Sequence, residues 1–165
     1  MRLLFTLSAI VLSTLPAWAM PLPKATGPIV LTVTGAIDNV DENGKAEFDM
    51  AMLEALEQKE TTSLTPWYDG EMTFRGPLAT ALLNCVGAHG QTVHVTAIND
   101  YSADIPIADL IDNPVIFATH LNGDQMSVRD KGPIFVIYPF DEHPELYNES
   151  YFGKSVWQVV SIDIR

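Results

Sequence analysis

Short runs of alternating apolar and polar residues recur along the chain and predict a series of strands. Successive side chains of a strand point to opposite faces, so alternation indicates a sheet with one buried face. Continuous apolar runs indicate strands that are buried on both faces. Together these signals predict strands over residues 29–34, 72–74, 92–98, 115–119, 134–138 and 156–164, with a further extended segment over 61–67.

Three segments between these strands have helical signals. Residues 48–56 carry apolar side chains at helical spacing, and Asp49 suits a helix start. A second helix is predicted after Pro77, which suits a first turn, and it ends at Gly87. A third, short helix covers residues 107–111. Many short strands with three helices between them predict an α+β domain with a mixed β-sheet.

Glycine and proline mark the predicted turns. Asn43-Gly44 and Asn122-Gly123 are strong hairpin signals, and Gly132 is also predicted to have a positive φ. Ile105-Pro106 predicts an extended segment before a helix, because proline restricts the residue that precedes it. Residues 39–50 begin like a calcium loop, but Met50 occupies the position where Glu is needed, so a hairpin turn is predicted instead.

Residues 1–19 have the three parts of a signal peptide. Arg2 gives a positive start, residues 3–15 form an apolar stretch, and Ala17-Trp18-Ala19 forms a cleavage site with small flanking residues. The apolar stretch is shorter than the roughly 18–20 residues that a transmembrane helix needs. We therefore predict a signal peptide over residues 1–19, with an uncleaved anchor as the alternative. Residues 20–165 then form one domain with no membrane span.

The chain is acidic, with 9 basic and 21 acidic residues and a net charge of −12. Arg2 is the only charged side chain in residues 1–19, so residues 20–165 have a net charge of −13. Such a charge repels phosphate backbones and anionic membrane surfaces, so nucleic acid is excluded as an expected partner. The composition, 47% hydrophobic and 18% charged, excludes a disordered chain.

Side chains with obvious chemistry are few. The only cysteine, Cys85, cannot form an internal disulfide, which fits a bacterial periplasm. It lies on the apolar face of the second predicted helix and is expected to be a small buried side chain, with a reactive thiol as the alternative. No close-spaced histidine pair and no nucleophile-elbow motif occur. We therefore predict no metal ligands and no catalytic residues.

The order of short motifs from residue 73 onward resembles a known family. The motifs are Phe74-Arg75-Gly76-Pro77-Leu78, Asn99-Asp100-Tyr101-Ser102, Ile105-Pro106, Asn122-Gly123, Lys131-Gly132-Pro133, Tyr138-Pro139 and Ser155-Val156-Trp157-Gln158. In this order they resemble the oxidoreductase molybdopterin-binding domain, the fold of the sulfite oxidase family. The N-terminal part, residues 33–56, is similar to that family's first strand and helix. The resemblance implies a sulfite-oxidase-type fold over most of residues 20–165.

The chain departs from this family where the metal would bind. The resemblance places the family's metal-binding thiolate between the first helix and the following strand, but residues 57–72 contain no cysteine. A threonine hydroxyl there does not replace a soft thiolate. Arg75 and Arg129 are the only arginines in the territory of the family's oxyanion-binding arginines. Arg2 also stands alone, without the twin arginine that would export a protein already folded around such a cofactor. No cofactor is therefore expected, although molybdopterin remains an alternative.

The resemblance maps one set of side chains to the loops around the family's cofactor cleft. Lys131 would be a rare cation in this acidic chain, which suits an anionic ligand, and a solvated hairpin lysine is the alternative. Tyr101 and Asp104 could equally stabilise the turn before Ile105-Pro106. The predicted ligand-binding residues are Thr65, Trp67, Asn99, Tyr101, Asp104, Lys131 and Tyr138.

Three functions follow from these observations. The first is a periplasmic, non-catalytic member of the fold that binds a small anionic ligand or a partner protein in a sensory or accessory role. The second is a molybdopterin-dependent oxidoreductase with atypical metal ligation. The third is an interaction module that presents aromatic side chains such as Trp67 and Tyr68 to a partner.

Overall fold

The computed structural model describes residues 22–165, whose strands form a five-stranded, a four-stranded and a two-stranded sheet. The predicted signal peptide, residues 1–19, lies outside the described residues. The predicted α+β architecture with mixed sheet pairing is confirmed. The strands are β1 Ile29–Gly35, β2 Ala46–Asp49, β3 Gln58–Leu64, β4 Glu71–Pro77, β5 Thr92–Ala97, β6 Ser102–Pro106, β7 Ile116–Ala118, β8 His120–Leu121, β9 Asp124–Gln125, β10 Phe135–Ile137 and β11 Val159–Ile164.

The five-stranded sheet has the order β2-β1-β11-β5-β6. The pair β1–β11 is parallel, and the other pairs of this sheet are antiparallel. Its inward side chains alternate as the sequence predicted: Leu31 and Val33 of β1 and Ile162 and Ile164 of β11 are buried. Residues far apart in sequence therefore share the largest core.

Within residues 22–165, four short α-helices pack around the sheets: α1 Met50–Glu54, α2 Ala79–Val86, α3 Ile107–Asp112 and α4 Glu149–Lys154. Helix α2 ends as predicted, with Gly87 in the left-handed conformation at φ 63°. Helix α1 is shorter than predicted, because Phe48 belongs to β2 and Asp49 caps the helix from outside. Pro77 likewise lies at the end of β4 and not in the first turn of α2. None of the helices within residues 22–165 is long and apolar enough to cross a membrane.

Two predictions for single residues need correction. The positive φ predicted for Gly132 belongs to its neighbour Lys131, whose φ is 68°. Gly132 is required for space instead, because a Cβ there would lie 2.6 Å from both the carbonyl carbon and the Cβ of Met126. Cys85 packs against the core only in part, and its partial burial raises the pKa of its thiol.

A close backbone approach joins the four-stranded sheet to β7. Gly76 of β4 faces β7, and a Cβ at Gly76 would collide with the carbonyl oxygen of Phe117 and lie 2.7 Å from the Cα of Ala118. Next to it, the N–H of Thr119 donates to the carbonyl of Arg75 at 2.9 Å. Gly76 therefore allows the two backbones to meet without an intervening side chain.

We expect Gly76→Ala to destabilise the fold by about 1–3 kcal/mol, because a methyl group forced into a packed interior displaces backbone. Gly153→Ala is the matched control. Its new Cβ would find only the Tyr101 hydroxyl, at 3.9 Å, and alanine favours the helix α4 that contains it. Urea unfolding measures both variants. Equal midpoints for Gly76→Ala and the native chain would show that β4 and β7 separate without cost.

Asp49 fixes the segment before β1 to the start of α1. Its carboxylate accepts hydrogen bonds from the N–H groups of Gly27 at 2.8 Å, Met52 at 2.9 Å and Thr26 at 2.8 Å. These bonds favour the ionised form, so they lower the pKa of Asp49 below its ordinary value of 3.8. The stabilisation is therefore present above that pH and is lost as the pH falls through the lower pKa of the folded state.

Asp49→Asn keeps a capping oxygen but removes the charge, so it should lower the free energy of unfolding near neutral pH. The difference in the free energy of unfolding between the variant and the native chain should shrink as the pH falls below about 3.8, because the native carboxylate then becomes protonated. Urea unfolding between pH 3 and pH 7 measures this. Glu60→Gln, an exposed change on β3, controls for the general loss of charge. If this difference does not vary with pH, the ionised carboxylate of Asp49 does not stabilise the fold.

Candidate functional site

An open cavity of about 300 Å³ lies between the β5–β6 hairpin, helix α4 and the loop that follows β3. This volume is at the lower end of the range of small-molecule sites. The side chains around it are mostly aromatic or small. The lining residues are Trp67, Ala97, Asn99, Tyr101, Glu149, Phe152, Gly153, Ser155 and Trp157.

Trp67 forms the inner wall of the cavity. It follows β3 and is half-buried because aromatic rings from separate parts of the chain surround it. Its ring centroid lies 5.2 Å from Phe135, 5.8 Å from Phe152 and 6.2 Å from Trp157, in edge-to-face arrangements. Such contacts stabilise beyond the area they bury and fix the orientation of the rings.

Trp157 is held at the opening by an unusual backbone turn. The next residue, Gln158, has a φ of 54°, in the left-handed region that long side chains rarely adopt. Three hydrogen bonds hold this turn. The Gln158 N–H donates to Lys131 O at 2.9 Å, its side-chain amide donates to Val128 O at 2.7 Å, and its carbonyl accepts from Ile98 N–H at 3.0 Å. Trp157 remains 37% exposed, so its ring is accessible to a ligand.

The β5–β6 hairpin supplies the opposite wall. Asp100 at its tip has a φ of 65°, and the Asn99 side-chain oxygen accepts from the N–H of Tyr101 at 3.2 Å. The Tyr101 hydroxyl then donates to the carbonyl of Gly153 at 2.8 Å. This bond connects the hairpin to α4 across the cavity.

Helix α4 forms the remaining wall of the cavity and contributes the carboxylate of Glu149. Asn148 caps the helix by accepting from the N–H of Ser150 at 3.0 Å, and Glu149 in the first turn faces the cavity. At the other end, Lys154 pairs with Asp109 of α3 at 2.6 Å and lies over the ring of Tyr151. The lysine therefore fixes the helix from outside the cavity lining.

The structure brings together three of the residues selected from the sequence, Trp67, Asn99 and Tyr101, and leaves the other four outside the lining. Lys131 lies over the ring of Tyr68, 4.3 Å from its centroid. Asp104 pairs with His94 at 2.7 Å on the surface of the β5–β6 pair. This contact joins β5 to β6 outside the cavity.

Two of the selected residues are buried away from the cavity. Thr65 and Tyr138 each have a buried side-chain oxygen that finds no hydrogen-bond partner among residues 22–165. Burial raises the pKa of Tyr138 well above its ordinary value. The ring of Tyr138 packs against Phe140 and Tyr151, so this residue belongs to the core.

Sequence reasoning missed the contribution of α4, which supplies Glu149, Phe152 and Gly153 to the lining. The signal was present, because Asn148 before Glu149 is a helix-capping pattern. A helix this short shows almost no periodicity. Ser155 and Trp157 stood in the motif that carried the family resemblance, but nothing in their spacing indicated a cavity.

The exposed aromatic surface expected for an interaction module is smaller than the sequence suggested. Trp67 is largely enclosed by other rings, and the Tyr68 hydroxyl donates to the carbonyl of Asp130 at 3.0 Å. Partial burial, followed by the nearby charge of Asp130, raises the pKa of Tyr68 to about 12. Both side chains are therefore partly engaged in contacts within the chain.

Comparisons with known proteins agree on the fold. The family model described as the oxidoreductase molybdopterin binding domain matches residues 31–140. The structure is similar to the sulfane dehydrogenase SoxCD from Paracoccus pantotrophus, with a TM-score of 0.60 and 15% sequence identity over 81% of this chain. The chain spans only 37% of that protein's chain, and at this identity the likeness concerns the fold alone. No curated protein matches the chain in sequence.

The residues around the cavity do not fit a molybdenum–pterin group. The lining contains no thiolate, and Cys85 lies instead in a groove beside α1, where its carbonyl accepts from Asn39 at 2.7 Å. Among residues 22–165, no lysine, arginine or histidine lines the cavity to neutralise a pterin phosphate. Within residues 22–165, no three His, Cys, Asp or Glu side chains are grouped to hold a metal ion.

We expect Tyr101→Phe to weaken the connection between the hairpin and α4. Loss of the hydrogen bond to Gly153 should cost about 0.5–1.5 kcal/mol of stability and speed amide hydrogen exchange in residues 149–154. Tyr147→Phe is the matched control, because Tyr147 is similarly exposed and its hydroxyl makes no hydrogen bond within the described residues. Urea unfolding and exchange mass spectrometry measure both effects. Unchanged exchange in α4 would contradict the role of this bond.

Proposed function

Because the chain belongs to the oxidoreductase molybdopterin-binding domain family, we propose that it uses the family's fold to bind a small molecule without molybdenum redox chemistry. The observation that carries this proposal is the aromatic cavity between Trp67, Trp157 and Tyr101. Its walls are already positioned by edge-to-face ring contacts and by the Tyr101–Gly153 hydrogen bond. A preformed, mostly apolar cavity with a few polar groups is typical of small-ligand sites.

The proposed setting is outside the cytoplasm. The three-part signal over residues 1–19 supports export, and the acidic composition supports a protein that stays dispersed in a crowded compartment. In that setting a small binding domain would serve a sensory or accessory role. A partner protein would distinguish its ligand-bound form from its ligand-free form.

Lys131, the cation that favoured an anionic ligand, lies away from the cavity. An anionic ligand was expected because Lys131 was placed at the cleft, but Lys131 lies over Tyr68 and outside the lining. The expectation therefore lacks the cation on which it depended. The cavity itself is lined by the carboxylate of Glu149.

One observation favours the second candidate, a molybdopterin-dependent oxidoreductase with atypical ligation. Thr65 lies in the interval where the family resemblance places the metal-binding thiolate, and its buried hydroxyl oxygen has no partner within residues 22–165. A buried polar group without a partner is costly, and a bound group is one way to satisfy it. This candidate therefore predicts a cofactor next to Thr65.

Elemental and pterin analysis of the protein isolated from its own cells distinguishes the two candidates. The binding-domain proposal predicts molybdenum and pterin far below one per chain. A molybdenum enzyme purified in parallel from the same cells is the control, because it shows that the cofactor was available. Molybdenum and pterin near one per chain would overturn the proposal in favour of the oxidoreductase.

A further inference from the structure

We propose that the ligand of the aromatic cavity is a small organic cation with a methylated ammonium head group. This inference rests on the proposed small-molecule function and specifies its ligand. Three features of the described lining support it: its charge, its ring walls and the occupation of its hydrogen-bonding groups.

The charge of the lining favours a cation. Glu149 contributes a carboxylate, and none of the residues around the cavity is Lys, Arg or His. The neighbouring cation of α4, Lys154, is paired with Asp109 at 2.6 Å and therefore does not offset Glu149. The whole chain carries −12 charges, so its field also attracts cations.

The ring walls supply a second attraction. The planes of Trp67 and Trp157 meet at 69°, and those of Trp67 and Phe152 at 77°, with centroids 6.2 and 5.8 Å apart. Walls at such angles form a corner in which one cation can lie within about 6 Å of more than one ring, where the ring quadrupole attracts it. The same fold already places Lys131 and Lys154 over tyrosine rings, at 4.3 and 4.6 Å.

The hydrogen-bonding groups explain why the head group should be methylated. The Gly153 carbonyl accepts from the Tyr101 hydroxyl, and the Asn99 side-chain oxygen accepts from the Tyr101 N–H. Two acceptors that a primary ammonium could use are therefore already engaged. A quaternary ammonium has no N–H donors, so it leaves no donor unsatisfied between aromatic walls, and the cation–π attraction offsets part of the cost of removing its charge from water.

Choline and its neutral isostere 3,3-dimethylbutan-1-ol test the inference directly. The two molecules have nearly the same shape and differ in charge. The chain has three tryptophans, Trp18, Trp67 and Trp157. In the full chain carrying Trp18→Phe, both remaining indoles line the cavity, so intrinsic fluorescence reports binding there. Isothermal titration calorimetry gives the affinities independently.

We expect choline to bind at least about tenfold more tightly than the isostere, because the cation–π attraction is lost with the charge. Glu149→Gln should weaken choline binding about two- to fivefold, as for a partly exposed ion pair, and leave the isostere unaffected. Trp157→Leu should weaken choline binding about tenfold or more, with Trp157→Phe intermediate. Glu60→Gln, which removes an exposed carboxylate outside the cavity, should leave choline binding unchanged.

Three outcomes would overturn the inference. Equal binding of choline and the isostere would show a site that recognises shape alone, and the small-molecule function would stand. Binding of acetate, strengthened by Glu149→Gln, would show an anion site and would also leave that function standing. Absence of any fluorescence change with choline overturns the cation assignment as well. The small-molecule function itself fails on a separate result, stoichiometric molybdenum and pterin in the native protein.

Discussion

The packing of Trp67 is the interaction on which the site depends. The described residues form two hydrophobic cores, a larger one that includes Leu31 and Phe140 and a smaller one that includes Phe74 and Phe135. The Trp67 indole contacts Phe135 of the smaller core, Phe140 of the larger core, Phe152 of α4 and the ring of Trp157. A single side chain therefore connects both hydrophobic cores with two walls of the cavity. Because edge-to-face ring contacts are directional, they fix the angle of each wall as well as its position. The shape of the site follows from how the cores pack.

The sheets bring these rings together through constraints on the backbone. Gly76 lets β4 approach β7 closely, and β7 pairs with β10, which carries Phe135. The left-handed turn at Gln158 then directs the chain from Trp157 into β11, in the five-stranded sheet. The family's fold is thus retained, while the cavity within the described residues is lined by aromatic and small side chains and by the Glu149 carboxylate. A shared fold does not by itself determine the chemistry of a site, which depends on the side chains that line it.

Local signals predicted most of the elements. The hairpin at Asn122-Gly123 and the end of α2 at Gly87 depend on few neighbouring residues, so the sequence alone indicates them. Strand β6 and helix α4 escaped prediction, because their short segments lack a clear period and are stabilised by packing. The residues of the site were harder to predict than the secondary structure. Trp67, Asn99 and Tyr101 were selected from the family resemblance, whereas Glu149 reaches the cavity only through tertiary contacts that no local pattern encodes.

The most direct test of the account is an NMR titration of the indole N–H signals. With tryptophan labelled in the full chain carrying Trp18→Phe, two signals remain, and Trp157→Phe assigns them. The account predicts that choline shifts both signals together, with one saturable curve, because Trp67 and Trp157 form walls of the same site. If neither signal moves at saturating choline, or if only one moves without saturation, the aromatic cavity is not a site for a quaternary ammonium cation.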